Sequence, residues 1–154
     1  MTARVLRTHP HLTAVGFDLP VTWQRFEDYT VASGVADRVQ FQPGDFFLDP
    51  LPEGDVVVLG QVLHNWSLAR RRELIAKAYD ALPLGGAVVV YETLIDEERH
   101  DSLSLLVSLS VNLVLGEGSD FTGAECTQWL HQAGFRNIYL EELDGPRSMI
   151  VGIK

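Results

Sequence analysis

The sequence predicts an α/β fold in which a mostly parallel sheet carries helices on both faces and ends in an antiparallel hairpin. The first observation behind this prediction is that short apolar runs alternate with amphipathic stretches along all 154 residues. Alternation of this kind favours parallel strands joined by helical crossovers. The second observation is that the runs at 55–60 and 87–91 are continuous, which is typical of strands covered on both faces.

Helices and strands alternate in the first third of the chain. Trp23, Phe26 and Thr30 recur at helical spacing, and Ser33-Gly34 ends that helix. Before it we predict a short helix and a strand, and after it a second strand that stops at Pro43-Gly44. Their ranges are Thr2–Thr8, Thr13–Phe17 and Arg38–Phe41.

A third helix is predicted between the two continuous strands. Ser67 stands where a side chain can cap its first turn, and Gly85-Gly86 follows its end. One side of this helix forms a stripe at helical spacing, made of Arg71, Ile75, Ala78 and Leu82.

The last third contains an apolar helix, a capped helix and a hairpin. A helical stretch runs from about Glu97 to Leu115, and its most apolar part, Leu103–Leu115, is well short of the roughly 20 residues of a membrane span, so we interpret it as a buried helix. Thr122 and Glu125 have the spacing of a capping box. Strands near 137–140 and 148–151 flank Asp144-Gly145-Pro146, a turn short enough for an antiparallel hairpin.

Composition excludes several classes of protein. The net charge is −9, with 21 acidic and 12 basic residues, which disfavours binding to a phosphate backbone. The single basic run, Arg70–Arg72, is interpreted as a solvated helix face. The lone cysteine, Cys126, excludes a disulfide within the chain and fits a cytoplasmic protein. We expect no membrane span, no signal peptide, no nucleic-acid partner and no metal site.

Polar residues follow each predicted strand, at the edge where parallel sheets bind ligands. Asp18 follows the first strand, Asp45 the second, His64 the third, and Glu92 the fourth. Asp18 could accept ribose hydroxyls, and His64 could act as a general base. The alternatives are that Asp18 and Asp45 are turn residues, that His64 is a structural histidine, and that Glu92 simply terminates a strand.

Together these residues stand in motifs that resemble a known family. The chain is similar to the class I S-adenosylmethionine-dependent O-methyltransferases of the caffeate and hydroxyindole type, over about residues 5–153. The motifs that carry the resemblance are Phe17-Asp18-Leu19-Pro20, Gly44-Asp45-Phe46-Phe47, Val62-Leu63-His64-Asn65-Trp66, Ala81-Leu82-Pro83-Leu84-Gly85-Gly86, Val88-Val89-Val90-Tyr91-Glu92, Phe121-Thr122 and Gln132-Ala133-Gly134-Phe135. The resemblance implies a Rossmann-like fold and methyl transfer to a hydroxyl of a small, aromatic molecule.

The resemblance implies that five residues bind the cofactor, S-adenosylmethionine. Asp18 would bind the ribose, while Asp45 and Phe46 would hold the adenine by hydrogen bonding and apolar contact. Leu19 and Gly60 would also lie at the cofactor, although Gly60 stands where plant members have a lysine.

The resemblance also implies the catalytic residues. His64 would remove the proton from the acceptor hydroxyl, with Glu92 and Asp120 as the two acids that flank it. Asp120 is one methylene shorter than the family's usual glutamate, and Asn65 replaces the aspartate that usually follows the histidine. The helix Leu103–Leu115 would line the acceptor pocket.

Some parts of the family pattern are not found in the sequence. The family's first strand, its glycine-rich loop and its N-terminal helical domain would precede Met1, and the only Gly-x-Gly pattern, Gly116–Gly118, lies between helices. We therefore expect one truncated catalytic domain over 1–154, with a gap in its sheet. The expected partners are a small-molecule hydroxyl acceptor and either a second copy or a complementing N-terminal chain.

Two other functions remain as alternatives. A truncated or non-catalytic relative, or one half of a split enzyme, would have the same motifs. A nicotinamide-dependent dehydrogenase would have the same strand–helix alternation, but the chain has no Gly-x-Gly-x-x-Gly pattern and the Leu63–Trp66 motif has no role in such an enzyme.

Overall fold

A computed structural model describes residues 2–98, 100, 102–143 and 147–154 of the chain. The chain divides into two compact units, Met1–Pro52 and Glu53–Lys154. Each unit has its own sheet: the first has two strands and the second has four.

The first unit is a helix–strand–helix–strand arrangement. Its two strands pair in parallel, with Ala14 opposite Val39. A small core of Ala3, Leu6 and Val35 lies against these strands. The elements are α1 (Thr2–Thr8), β1 (Ala14–Asp18), α2 (Trp23–Ala32) and β2 (Val39–Pro43). They confirm the predicted elements to within two residues, and Gly34 ends α2 with a φ of 68°.

The second unit contains a mixed sheet in the order β3-β4-β6-β5. β3 and β4 are parallel, whereas β6 is antiparallel to both β4 and β5. The elements are β3 (Val56–Gly60), α3 (Leu68–Ala81), β4 (Ala87–Thr93), α4 (Ser102–Leu115), α5 (Gly123–Ala133), β5 (Arg136–Glu142) and β6 (Arg147–Ile153). The predicted α/β class with parallel pairs and a C-terminal hairpin is confirmed. The predicted turn at 144–146 lies outside the described residues.

The core of the second unit forms where α3 and α5 cover the sheet. The stripe predicted on α3 is confirmed, since Ile75 and Ala78 are fully buried and Leu82 is 3% exposed. Apolar side chains of the strands and of α5 complete this core; they include Val88, Val90, Leu130, Phe135 and Ile150.

Two local predictions about this unit are wrong. Strand β3 is not covered on both faces, because Val56 and Val58 are 54% and 45% exposed. A continuous apolar run shows that both faces of a strand are suited to burial. It does not show which elements cover those faces. Ser67 does occupy the N-cap position of α3, but its hydroxyl makes no capping hydrogen bond.

The apolar helix α4 is also less buried than predicted. It begins at Ser102 rather than near Glu97. Its apolar side chains are open to solvent at Leu106, Leu109, Leu113 and Val114, with exposures of 63%, 54%, 75% and 81%. Within the described part of the chain, no helix is long and apolar enough to cross a bilayer.

Helix α5 begins with the capping box that the sequence predicts. The Thr122 side chain accepts a hydrogen bond from the Glu125 backbone N–H at 3.2 Å, and the Glu125 carboxylate accepts one from the Thr122 backbone N–H at 2.8 Å. Gly134 ends the helix with a φ of 109°. This helix start matters for the site because residues 118–121 lead directly into it.

Loss of the capping box should destabilise the chain. We expect Thr122→Ala to lower the free energy of unfolding by about 1 kcal/mol, because the mutant leaves an N-terminal N–H of α5 unpaired. Thr127→Ala is the matched control, since Thr127 lies inside the same helix, where alanine is the better helix former. Urea unfolding followed by circular dichroism measures both variants, and equal losses of stability would contradict the prediction.

Candidate active site

The centre of the candidate site is the buried carboxylate of Glu92 on β4. Its side chain has no solvent exposure. Its Oε1 accepts hydrogen bonds from the backbone N–H groups of Val62 and Leu63, each at 2.9 Å. Its Oε2 accepts one from Nε2 of Gln61 at 3.3 Å. A buried carboxylate is costly unless it is hydrogen-bonded, so these donors hold the segment after β3 against the end of β4.

His64 is the fourth residue of this segment to contact Glu92. Its Nδ1 lies 2.7 Å from Oε2 of Glu92, and the imidazole is 17% exposed. Because an ionised carboxylate only accepts hydrogen bonds, Nδ1 must carry the hydrogen. Neutral His64 therefore keeps its lone pair on Nε2, which is the nitrogen able to accept a proton from another molecule.

The charges around His64 favour its protonated form. The hydrogen bond to Glu92 raises the pKa of His64 above 6.5, and burial of the ring opposes this effect. The charges of Glu92 and Asp120 raise the same pKa, and the charge of Arg71 lowers it. The neutral base consequently predominates only at a pH above this raised value.

Asp120 lies just before α5 and faces the same group of charges. Burial raises its pKa, whereas the positive charges of His64 and Arg71 lower it. Its backbone N–H donates to Oγ of Ser108 at 2.9 Å. In the described part of the chain, no donor lies within hydrogen-bond distance of its buried Oδ2 atom. Asp120 therefore carries a buried acceptor oxygen that the described residues leave without a donor.

A cavity of about 470 Å³ opens beside Asp120. Helix α4 contributes Ser108 and Asn112 to its lining, and Trp129 lies on the α5 side. Asn112 donates to the carbonyl of Gly118 at 3.0 Å. The two polar residues of α4 thus hold the segment 118–120, a role that the sequence did not predict for them.

Arg71 is one of two residues at this site that sequence reasoning missed. The prediction that Arg70–Arg72 is a solvated face is wrong for Arg71, which is only 4% exposed. Its guanidinium lies 5.0 Å from the centre of the Phe121 ring and 5.4 Å from that of Trp129. The signal was in the sequence, because Arg71 belongs to the same helical stripe as Ile75 and Ala78.

Gln61 was also missed, and here the sequence carries no signal. Its φ is 57°, in a region that side-chain-bearing residues rarely adopt. Its backbone N–H donates to the carbonyl of Tyr91 at 2.9 Å, while its side chain donates to Glu92. Gly60, predicted at the cofactor, ends β3 directly before this residue and lies opposite Tyr91 in the parallel pairing.

The other predicted cofactor residues lie in the first unit, at the carboxyl ends of β1 and β2. Asp18 ends β1, and its carbonyl accepts a hydrogen bond from the Gly44 backbone N–H at 2.9 Å. The carboxylate of Asp18 accepts one from the backbone N–H of Leu19 at 2.7 Å. Asp45 and Phe46 follow β2 after Gly44, so all four predicted residues lie at the same strand edge.

The local bonds of Asp45 agree with a turn residue as well. Its Oδ1 accepts from the Phe47 backbone N–H at 2.8 Å, and its own N–H donates to Asp49 at 2.9 Å. The Phe46 and Phe47 rings stack edge to face, 4.8 Å apart. The turn fixes the direction of the Asp45 carboxylate beside an aromatic surface.

Cys126 lies under the site and is fully buried. Desolvation raises the pKa of its thiol to about 12. The thiolate is the reactive form of cysteine, so this residue is a core side chain rather than a nucleophile.

Comparison with known proteins agrees with this geometry. The family model described as "O-methyltransferase domain" matches residues 1–136. Because this match covers most of the chain, the chain belongs to the O-methyltransferase domain family. This membership overturns the dehydrogenase alternative, and the non-catalytic alternative is not favoured.

Several individual relatives resemble this chain over almost the whole length of this chain, although not of their own. The tetracenomycin polyketide synthesis 8-O-methyl transferase TcmO of Streptomyces glaucescens is 43% identical over 155 residues, covering 100% of this chain and 46% of that protein. An O-methyltransferase family 2 protein from Planctomyces limnophilus, solved with apigenin, is 28% identical with a TM-score of 0.93, covering 99% of this chain and 47% of that one. Human N-acetylserotonin methyltransferase, solved with SAM, is 32% identical with a TM-score of 0.89, covering 99% and 44%. The chain thus spans about half the length of the relatives it matches.

The Glu92 hydrogen bond should control the titration of His64. In Glu92→Gln we expect the pKa of His64 to fall, because the hydrogen bond to a carboxylate becomes a weaker bond to a neutral amide and the negative charge of Glu92 is lost. The stabilisation from the pair is fully present below pH 6.5 in the parent chain, and it disappears as pH rises through the raised pKa of His64. NMR titration of the His64 ring measures the pKa, with Glu73→Gln on the exposed side of α3 as the control. An unchanged His64 titration in Glu92→Gln would contradict the assignment.

Cys126 should be unreactive while the chain is folded. We expect a thiol reagent to modify it at a rate that rises sharply when the chain is unfolded in urea, since burial and the high pKa both suppress the thiolate. Absorbance of the released thiol product measures the rate. Rapid modification of the folded chain would show that this part of the core opens readily.

Proposed function

We propose that the chain is the cofactor-side part of an O-methyltransferase that transfers a methyl group from S-adenosylmethionine to a hydroxyl of a small aromatic molecule. His64 is the general base, and Glu92 and Asp120 are the acids beside it. Asp18, Leu19, Asp45, Phe46 and Gly60 are the cofactor residues. The names of the relatives support the reaction, and the pairing of His64 with Glu92 is the observation that carries the proposal.

The residues at the strand edge of the first unit suit the cofactor chemically. Asp18 offers carboxylate oxygens that can accept hydrogen bonds from vicinal ribose hydroxyls. Asp45 offers carboxylate oxygens that can accept hydrogen bonds from an exocyclic amine. The Phe46 ring offers an apolar surface to a planar base. When bound, S-adenosylmethionine supplies an activated methyl group, which leaves the protein mainly with positioning and proton removal.

The side chains of the second unit supply the base. A phenol has a pKa near 10, so its oxygen becomes a better nucleophile as its proton leaves. His64 accepts that proton on Nε2, while its Nδ1–H stays bonded to Glu92 at 2.7 Å. The buried carboxylate of Glu92 stabilises the imidazolium that forms, and Asp120 adds a second negative charge. The rate should rise with pH through the raised pKa of His64, since only the neutral ring accepts the proton.

Wider features of the protein follow from the same proposal. We propose that the two compact units are parts of one catalytic domain, which is supported by a family match that runs across the boundary between them. The exposed apolar side chains of α4 support the proposal that a partner covers this helix. The partner is either a second copy of the chain or a chain that supplies the rest of the relatives' length. A cytoplasmic location fits the single buried thiol.

Two variants should separate base catalysis from cofactor binding. Calorimetric titration with S-adenosylhomocysteine should give saturable binding to the parent chain and to His64→Ala. Asp18→Ala should bind at least about tenfold more weakly, because it loses hydrogen bonds made by a charged group. Transfer of a radiolabelled methyl group to a panel of phenols should fall by about 10²–10⁴-fold in His64→Ala.

Each result has a distinct meaning. Full turnover by His64→Ala would exclude His64 as the base. Equal binding by Asp18→Ala and the parent chain would exclude Asp18 from the cofactor site. Absence of binding to the folded parent chain would overturn the proposal that these residues suffice to hold the cofactor.

A further inference from the structure

The candidate catalytic residues lie on two segments that are far apart in sequence. His64 lies in the turn Leu63–Asn65, and Asp120 lies in the segment that leads into α5. One backbone hydrogen bond joins the two segments, from the Ser119 N–H to the His64 carbonyl at 2.9 Å. The approach is so close that a Cβ atom at Gly118 would lie 2.7 Å from the same carbonyl.

Arg71 on α3 joins the same two segments through its side chain. Its Nε donates to the carbonyl of Leu63 at 2.9 Å. Its Nη2 donates to the carbonyl of Ser119 and, at 3.0 Å, to Oγ of the same residue. The guanidinium thus contacts the residue that precedes His64 and the residue that precedes Asp120.

We propose that Arg71 is a positioning residue, which fixes His64 and Asp120 relative to each other by bonding both segments at once. This inference rests on the proposed function, because it assigns a role within the same site. Arg71 also borders the cavity beside Asp120, but the role assigned to it is to hold the two segments and not to contact the reacting atoms. Its planar fork of donors can reach two carbonyls in fixed directions, which a lysine ammonium cannot reproduce.

The surroundings of Arg71 hold the fork in place. The guanidinium lies over the rings of Phe121 and Trp129, at 5.0 and 5.4 Å from their centres. It remains charged, because arginine is not deprotonated in proteins, although desolvation lowers its pKa. The negative groups that offset its burial are Glu125, Glu92 and Asp120.

The charge of Arg71 also acts on both catalytic groups. It lowers the pKa of His64, against the increases from Glu92 and Asp120, and it lowers the pKa of Asp120. The donor fork of Arg71 and its positive charge therefore affect the site in separable ways. Loss of the charge changes the titration of His64, whereas loss of the fork changes the distance between the two segments.

The test uses two variants of Arg71 and one control in the full chain. Arg71→Met removes both fork and charge, so the pKa of His64 should rise and kcat should fall by at least about tenfold, with little change in KM. Arg71→Lys keeps the charge, so the pKa of His64 should stay near that of the parent while kcat remains low. Arg72→Met, on the exposed side of α3, should change neither quantity.

A readout that needs no activity separates this inference from the proposed function. NMR should show faster hydrogen exchange at the Ser119 amide in both Arg71 variants, with core amides such as that of Ile75 unchanged. If the parent chain transfers no methyl group but these shifts occur, the proposed function fails and the positioning role stands. The inference is overturned if Arg71→Lys restores kcat fully, or if Ser119 exchange and the His64 titration are unchanged in both variants. Should Arg71→Met not fold, the Arg71→Lys results decide alone.

Discussion

The buried carboxylate of Glu92 is the constraint on which the rest of the site depends. It has no solvent exposure and no neighbouring charge on its own strand, so its solvation comes from N–H donors of the segment that follows β3. The backbone must turn sharply to present those donors, which is why Gln61 adopts a φ of 57°. The imidazole of His64 is brought to the same carboxylate by this turn.

A second layer of contacts links the turn after β3 to the start of α5. The turn that satisfies Glu92 exposes the carbonyls of Leu63 and His64 on its outer side. Arg71 and the Ser119 N–H bind these carbonyls, and the capping box then fixes the backbone that continues from Asp120 into the helix. In each layer a side chain binds backbone groups: Arg71 binds the carbonyls of Leu63 and Ser119, and Glu125 binds the Thr122 N–H.

Residues at strand ends were predictable from the sequence because the topology of a parallel sheet brings those ends together. Asp18, Asp45, His64 and Glu92 were placed at the strand ends in this way, and the resemblance to a family added Asp120 as a second acid beside His64. Arg71 was missed because three successive arginines suggest solvent, although only one of them lies on the buried stripe of α3. The exposure of α4 was missed for another reason: an apolar helix reveals that it must be covered, but not by which element.

The strand order of the second unit has a consequence for the way this unit is assembled during synthesis. β6 lies between β4 and β5, so β5 leaves the ribosome before the only described strand with which it pairs. Until β6 inserts, the outer edge of β4, the strand that carries Glu92, has unpaired backbone groups of the kind that other chains can bind. Domains generally form as units during translation. Here the four-stranded sheet is complete only after β6 has inserted between β4 and β5. The strand that carries Glu92 therefore has an unpaired edge, open to pairing with other chains, in the interval before residues 147–153 emerge.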